Sequence, residues 1–174
     1  MKALTQKILL TGFISAMPLS GYSQDPEVRV EPPQLQGSRP VEKQTQIAVV
    51  RDYLQSWKSL QAALDRNQAE LLDRDFVGTA RDKLASTIDE QASAGIHTVY
   101  KDRSHDLQIV FYSPEGSSIQ LIDTVDYDQQ VLSEQKVLAT KRVRARYLVV
   151  LTPSEVSWRV RMFQADSGAA PKQQ

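Results

Sequence analysis

Cysteine is absent from the 174 residues, histidine occurs twice and glycine only 7 times. Without cysteine the chain has no disulfide, thiolate nucleophile, iron–sulfur cluster or cysteine-bound zinc, and no lipobox cysteine. None of the few glycines forms a phosphate-binding loop. Neither charge dominates: 21 basic residues meet 21 acidic ones, which argues against a general nucleic-acid binder with its basic surplus. Helical and strand patterns do not alternate, and no histidine stands near a serine in a recognisable motif. A hydrolytic triad therefore has no support. What is present is a 41% hydrophobic content in a length suited to one globular domain.

The two ends read differently from the middle. Residues 1–23 read as a secretory signal. Lys2 and Lys7 precede an apolar region of Ile8, Leu9, Leu10, Phe13, Ile14, Ala16, Met17 and Leu19, and Gly21-Tyr22-Ser23 supplies small residues for cleavage before Gln24. The apolar stretch is shorter than the roughly 20 residues of a membrane span. Cleavage would remove two lysines and no acid, leaving a slightly acidic chain bound for the periplasm or the exterior. Residues 24–40, with Pro26, Pro32, Pro33, Gly37 and Pro40, read as an extended linker. Residues 166–174 read as a frayed tail. The domain is expected over residues 41–165.

Within it, Ile47, Val50, Leu54, Trp57, Leu60 and Leu64 recur every three or four residues, one face of a long helix with Asn67 as its stop. A short second helix is expected over residues 68–75. Gly78 breaks the chain, and Thr79 is expected to cap a third helix bearing Ala80, Leu84, Ile88 and Ala92, which Gly95 closes. After Gly95 the period becomes two. A strand over residues 96–100 is followed by one on which Leu107, Ile109 and Phe111 share a face. Ser113-Pro114-Glu115-Gly116 is a turn. Ile119, Leu121, Val125 and Tyr127 form the next strand, where the change of phase at Ile122-Asp123 suggests a bulge. Arg142 to Leu151 and Val156 to Met162 form the closing hairpin. Pairing Leu151 with Val156 sets Tyr147 opposite Val160, Arg146 opposite Arg161 and Arg159 opposite Leu148. Helices first and an antiparallel sheet second make an α+β domain. The second sheet face, with Leu148, Val150 and Phe163, needs cover from a ligand, a second copy or the sheet's own curl.

Two clusters of side chains stand out. Arg142, Arg144 and Arg146 project from one strand, Arg159 and Arg161 from the next. Such a face is either solvated and neutralised by Asp123 and Asp126, or it meets an anionic partner. Nucleic acid is not expected there, because the exported chain would be slightly acidic and no aromatic interleaves the stripe except Phe163. His97, Asp102, His105 and Asp106 hold ligand-type atoms, but their spacing does not favour a metal. The expectation is a turn at Asp102-Arg103 with His105 exposed.

The element order, the first-helix string Tyr53-Leu-Gln-Ser-Trp57 to Ala63-Leu-Asp-Arg-Asn67, and the hairpin Arg146-Tyr-Leu-Val-Val-Leu151 to Val156-Ser-Trp-Arg-Val160 resemble the nuclear-transport-factor-2-like superfamily. That fold is a cone-shaped, cystatin-like α+β roll. The nearer branch is similar to the intermembrane-space domain of chloroplast-division J-domain proteins, which the resemblance implies docks a partner without catalysis. The superfamily also hosts isomerases and cyclases with a carboxylate base and a Tyr or Asp acid in the cone. Applied here, the resemblance points to Tyr53, Asp123, Asp126 and Asp128, against a plain reading of helix-flank and solvated residues.

The expectation is thus an exported, non-catalytic binding module without cofactor or metal. Its face is carried by Arg144, Arg146, Arg159 and Arg161, and its partner is a protein, a small ligand or a second copy through the sheet. The alternative is a small-molecule enzyme or carrier using a pocket at Tyr53, Asp123 and Asp126. A cone plugged by Trp57, Phe76 and Phe111 would count against that alternative.

Overall fold

The structure, a computed structural model, describes residues 25–37 and 39–166. The expected signal segment and the tail beyond Asp166 lie outside the described residues. The domain is α+β, as expected: β1 (Glu27–Val30), α1 (Lys43–Arg66), a 3₁₀ turn (Ala69–Leu72), α2 (Gly78–Ser93), then β2 (His97–Tyr112), β3 (Ile119–Ser133), β4 (Lys136–Pro153) and β5 (Trp158–Ala165). One sheet runs β1-β2-β3-β4-β5. Every pairing is antiparallel except β1 with β2.

The long helix forms where the apolar spacing places it, but its buried face differs in the first half. Val49, Tyr53, Trp57, Leu60 and Leu64 are buried against the sheet, Val50 and Leu54 only partly, and Ile47 is 58% exposed. Asn67, in the left-handed region at φ 54°, ends it, and Gly95 at φ 67° turns the chain from α2 into β2. A buried amide relay fixes this corner. Gln91 Nε2 donates to the Leu64 carbonyl at 2.6 Å and to Asn67 Oδ1 at 2.5 Å, while Thr98 donates to Gln91 Oε1 at 2.9 Å.

Several local expectations are corrected. The linker residues are extended, but Glu27–Val30 also pair in parallel with Ser104–Leu107. Their alternating valines suit an edge strand, and the flanking prolines are tolerated there. The short second helix is a single 3₁₀ turn. Thr79 does not cap α2; its hydroxyl donates to the Arg161 carbonyl. Residues 96–112 form one strand with no turn at Asp102-Arg103, because a bulge at Arg103 absorbs the irregularity. A second irregularity at Val110 turns Tyr112 inward, and Phe111 meets the backbone at Gly37 instead of plugging the cone. No bulge lies at Ile122-Asp123. Ile119, Leu121, Asp123, Val125 and Tyr127 are all buried in strict alternation.

The closing hairpin is also set differently. Leu151 pairs with Val160 and Pro153 with Trp158, and Arg161 is the extra residue of a bulge. Tyr147 therefore lies opposite Ala165, and neither Arg146 with Arg161 nor Arg159 with Leu148 is a cross-strand pair. The bulge turns Phe163 inward, where it stacks on Tyr147 at 4.5 Å between centroids, and leaves Met162 exposed. The tight Thr152–Glu155 turn would have placed Val156 in the core; it is 88% exposed.

Candidate functional site

Three donors on α1 stand four residues apart and face three ionisable side chains on the sheet, the buried His105 and Asp123 and the part-buried Asp102. The Tyr53 hydroxyl donates to Asp123 Oδ2 at 2.6 Å. Trp57 Nε1 and Gln61 Nε2 each donate to Asp102 Oδ2 at 2.8 Å. His105 sits between the carboxylates, with Nδ1 2.8 Å from Asp123 Oδ2 and Nε2 3.6 Å from Asp102 Oδ2. His105 is thus buried, at 1% exposure, not exposed as expected. It shares the inward parity of Leu107 and Ile109, which the bulge at Arg103 sets.

The environment decides the charge. Burial opposes a charged imidazole, but the flanking carboxylates of Asp102 and Asp123 outweigh it and raise His105 to about 9. At neutral pH the ring is an imidazolium, able to donate a proton and unable to accept one. Burial first, then the charge and hydrogen bond of Asp123, lift the Tyr53 hydroxyl well above the usual tyrosine value. Asp102 Oδ1, His105 Nε2 and Asp123 Oδ1 are buried without a hydrogen-bond partner.

Rings close this cluster off. Trp57 packs edge-on to His105 at 5.2 Å and lies 5.8–6.2 Å from Tyr127, Tyr147, Phe163 and Tyr100. Of the expected plug, Trp57 and Phe76 are buried in the core, and Phe111 is not part of it.

Of the expected pocket residues, Tyr53 and Asp123 come together and Asp126 does not. Asp126 projects from the opposite face of β3 and takes two hydrogen bonds from Arg142, at 3.0 and 2.9 Å. That pairing holds its carboxyl below the usual aspartate range, against the opposing effect of burial. Asp128 takes Arg103 at 2.7 Å. Asp123, buried inside, neutralises none of the outer arginines. Arg144 lies across from Asp126 in register, and Arg146 is 3.4 Å from Asp166. Arg159 reaches away from them and donates to the carbonyls of Asp73 and Phe76. Arg161 is exposed on its bulge. The arginines are therefore two groups, with Arg142, Arg144 and Arg146 on β4 and Arg159 holding the chain before α2. His97 binds Asp65 and the Glu134 carbonyl. Among the described residues, no group of three or more ligand-type side chains is placed to hold a metal, and no helix is long and apolar enough to cross a membrane.

The intermembrane space region of chloroplast protein ARC6 superposes with a TM-score of 0.58 at 15% identity, covering 73% of this chain and 98% of that one. The chain has the nuclear-transport-factor-2-like fold. A candidate scytalone dehydratase from Novosphingobium aromaticivorans aligns at TM-score 0.49 and 13% identity, over 72% of this chain and 89% of its own. A candidate dehydratase of the NTF2-like family from Streptomyces avermitilis aligns at 0.45 and 11%, over 67% and 94%. At these identities the likeness is one of fold. No protein-family model matches the sequence, and no curated protein does.

Proposed function

We propose that this is an exported, non-catalytic protein-interaction module that presents the basic strand β4, with Arg144 and Arg146, to its partner. One observation carries the reading: the inner face of the sheet, where a nuclear-transport-factor-2-like enzyme would hold substrate, is filled by Trp57 and its ring of aromatics. The Tyr53–Asp123–His105 cluster beneath is already internally bonded. It ties α1 to β2 and β3, which is a structural role. Export is supported by Lys2, Lys7 and the apolar residues that follow them.

A second reading, an enzyme or carrier using the cone, is favoured by the three buried polar atoms that lack partners. Partner capture from an envelope extract separates the two. Arg144→Glu/Arg146→Glu is expected to lose the partner while Tyr53→Phe keeps it. Retained capture by the arginine variant, with loss of capture or ligand binding in Tyr53→Phe, reverses the assignment. Intact mass of the exported protein is expected to start at or near Gln24; retention of Met1 would reject cleavage. Light scattering of the same sample reads whether the sheet also pairs two copies.

A further inference from the structure

Among the described residues the sheet has an open, basic edge that the interaction-module reading does not by itself explain. Among the described residues β5 pairs with β4 from Tyr147 onward, and the last bond on that side runs from the Asp166 N–H to the Arg146 carbonyl at 2.7 Å. Strand period two then directs the N–H and C=O groups of Arg144, Arg142 and Thr140 to the same side. Among the described residues no strand pairs there. Unpaired strand backbone of this kind is a template for another chain.

The side chains select which chain. Lys136, Lys141, Arg142, Arg144 and Arg146 lie on this stretch, and no acidic residue stands between Lys136 and Tyr147. Arg142 is held by Asp126 through two hydrogen bonds, while Arg144, across from Asp126, feels that carboxylate's charge without a direct hydrogen bond to it. A second copy entering antiparallel would set arginines against arginines, which destabilises the pairing. An acidic strand would find the opposite. On the inner side the neighbours are the half-buried Val143 and Ala145, which suit small apolar residues.

We propose that the β4 edge over residues 140–144 takes up an extended acidic segment of a partner protein as an added strand. The segment carries acids at alternate positions, beside Arg142 and Arg144, and apolar residues between them. The mode is strand addition, with backbone hydrogen bonds giving affinity and alternate side chains giving selectivity. This rests on the interaction-module reading and goes beyond it in naming the partner's chemistry and its backbone geometry.

The test uses the full chain and labelled peptides of about six residues, the length of an ordinary strand. One alternates Glu with Val, one alternates Lys with Val, and one is the Glu–Val peptide interrupted by proline. The Glu–Val peptide is expected to bind about tenfold or more tightly than either control, and less tightly as salt rises. Hydrogen exchange at the amides of Thr140, Arg142 and Arg144 is expected to slow on binding. Arg144→Glu is expected to weaken binding about tenfold with an unchanged melting temperature. Equal binding of the proline-interrupted peptide, or unslowed amides, overturns strand addition. If that happens while the Arg144→Glu/Arg146→Glu variant still loses its partner, the module reading stands alone. If capture is also retained, both fall.

Discussion

The buried imidazolium makes stability depend on pH in a direction opposite to that of a buried neutral histidine. The folded state holds His105 at about 9 against an ordinary 6.5, because two carboxylates flank it. A folded value above the unfolded one stabilises fully below about pH 6.5, and the contribution fades as pH rises toward 9. At about 1.4 kcal/mol per unit, the loss between pH 6 and pH 9 comes to about 3 kcal/mol. Urea unfolding at the two pH values measures it, as a fall in midpoint on the order of 1–2 M. His105→Gln, with a side chain that does not titrate, supplies the baseline and removes common contributions from other groups. Its midpoint is expected to be lower than that of the unaltered chain at pH 6 and nearly flat with pH. Equal pH dependence in the two proteins would refute the charged-histidine account. A midpoint that rises from pH 6 to pH 9 in the unaltered chain alone would mean a ring buried neutral.

Tyr53→Phe removes the donor to Asp123 while preserving the ring, and is expected to cost about 1–3 kcal/mol in thermal unfolding. Trp57→Ala removes the ring that touches His105 and four other aromatics. It is expected to cost about 3–5 kcal/mol and to admit an apolar dye to the cone; an unchanged denaturation midpoint would show that the ring is not packed as described. Gly95→Ala forces a Cβ into φ 67°, with an expected loss of about 1 kcal/mol by the same measurement, whereas Ala94→Gly is expected to change stability by less.

Periodicity made the helices and hairpins legible, because apolar spacing reports directly on which face is buried. The Trp57, Leu60 and Leu64 part of the first-helix stripe and the Asn67 and Gly95 stops stand where their spacing and backbone freedom place them, whereas Ile47 lies exposed and Val49 and Tyr53 take the buried positions. The bulges at Arg103, Val110, Leu138 and Arg161 were not legible. A bulge inserts one residue without a distinctive side chain, and each reverses every inward and outward assignment after it. That is why Phe111 and Phe163 exchanged faces and why the arginine pairs dissolved. The buried cluster had a usable signal. Asp123 occupies the middle of the stripe Ile119, Leu121, Val125, Tyr127, and His105 stands two residues before Leu107. Reading a polar residue at an inward position as a buried one, not as a break in phase, would have joined Asp123 to His105. Tyr53 and Asp123 were singled out together only through the resemblance to the fold's enzymes; spacing alone does not bring a helix residue to a strand 70 positions later.

The donors on α1 have a mechanical consequence. Tyr53, Trp57 and Gln61 are spaced by four residues, about 6 Å along the helix axis, and each is bonded to a fixed carboxylate. A smaller slide of the helix breaks all three bonds and leaves charge exposed to rings. A slide of one full repeat drives the indole of Trp57 into the space of a phenol. The helix therefore has one detent on the sheet. Under a pulling force it should release in a single step, without creeping beforehand.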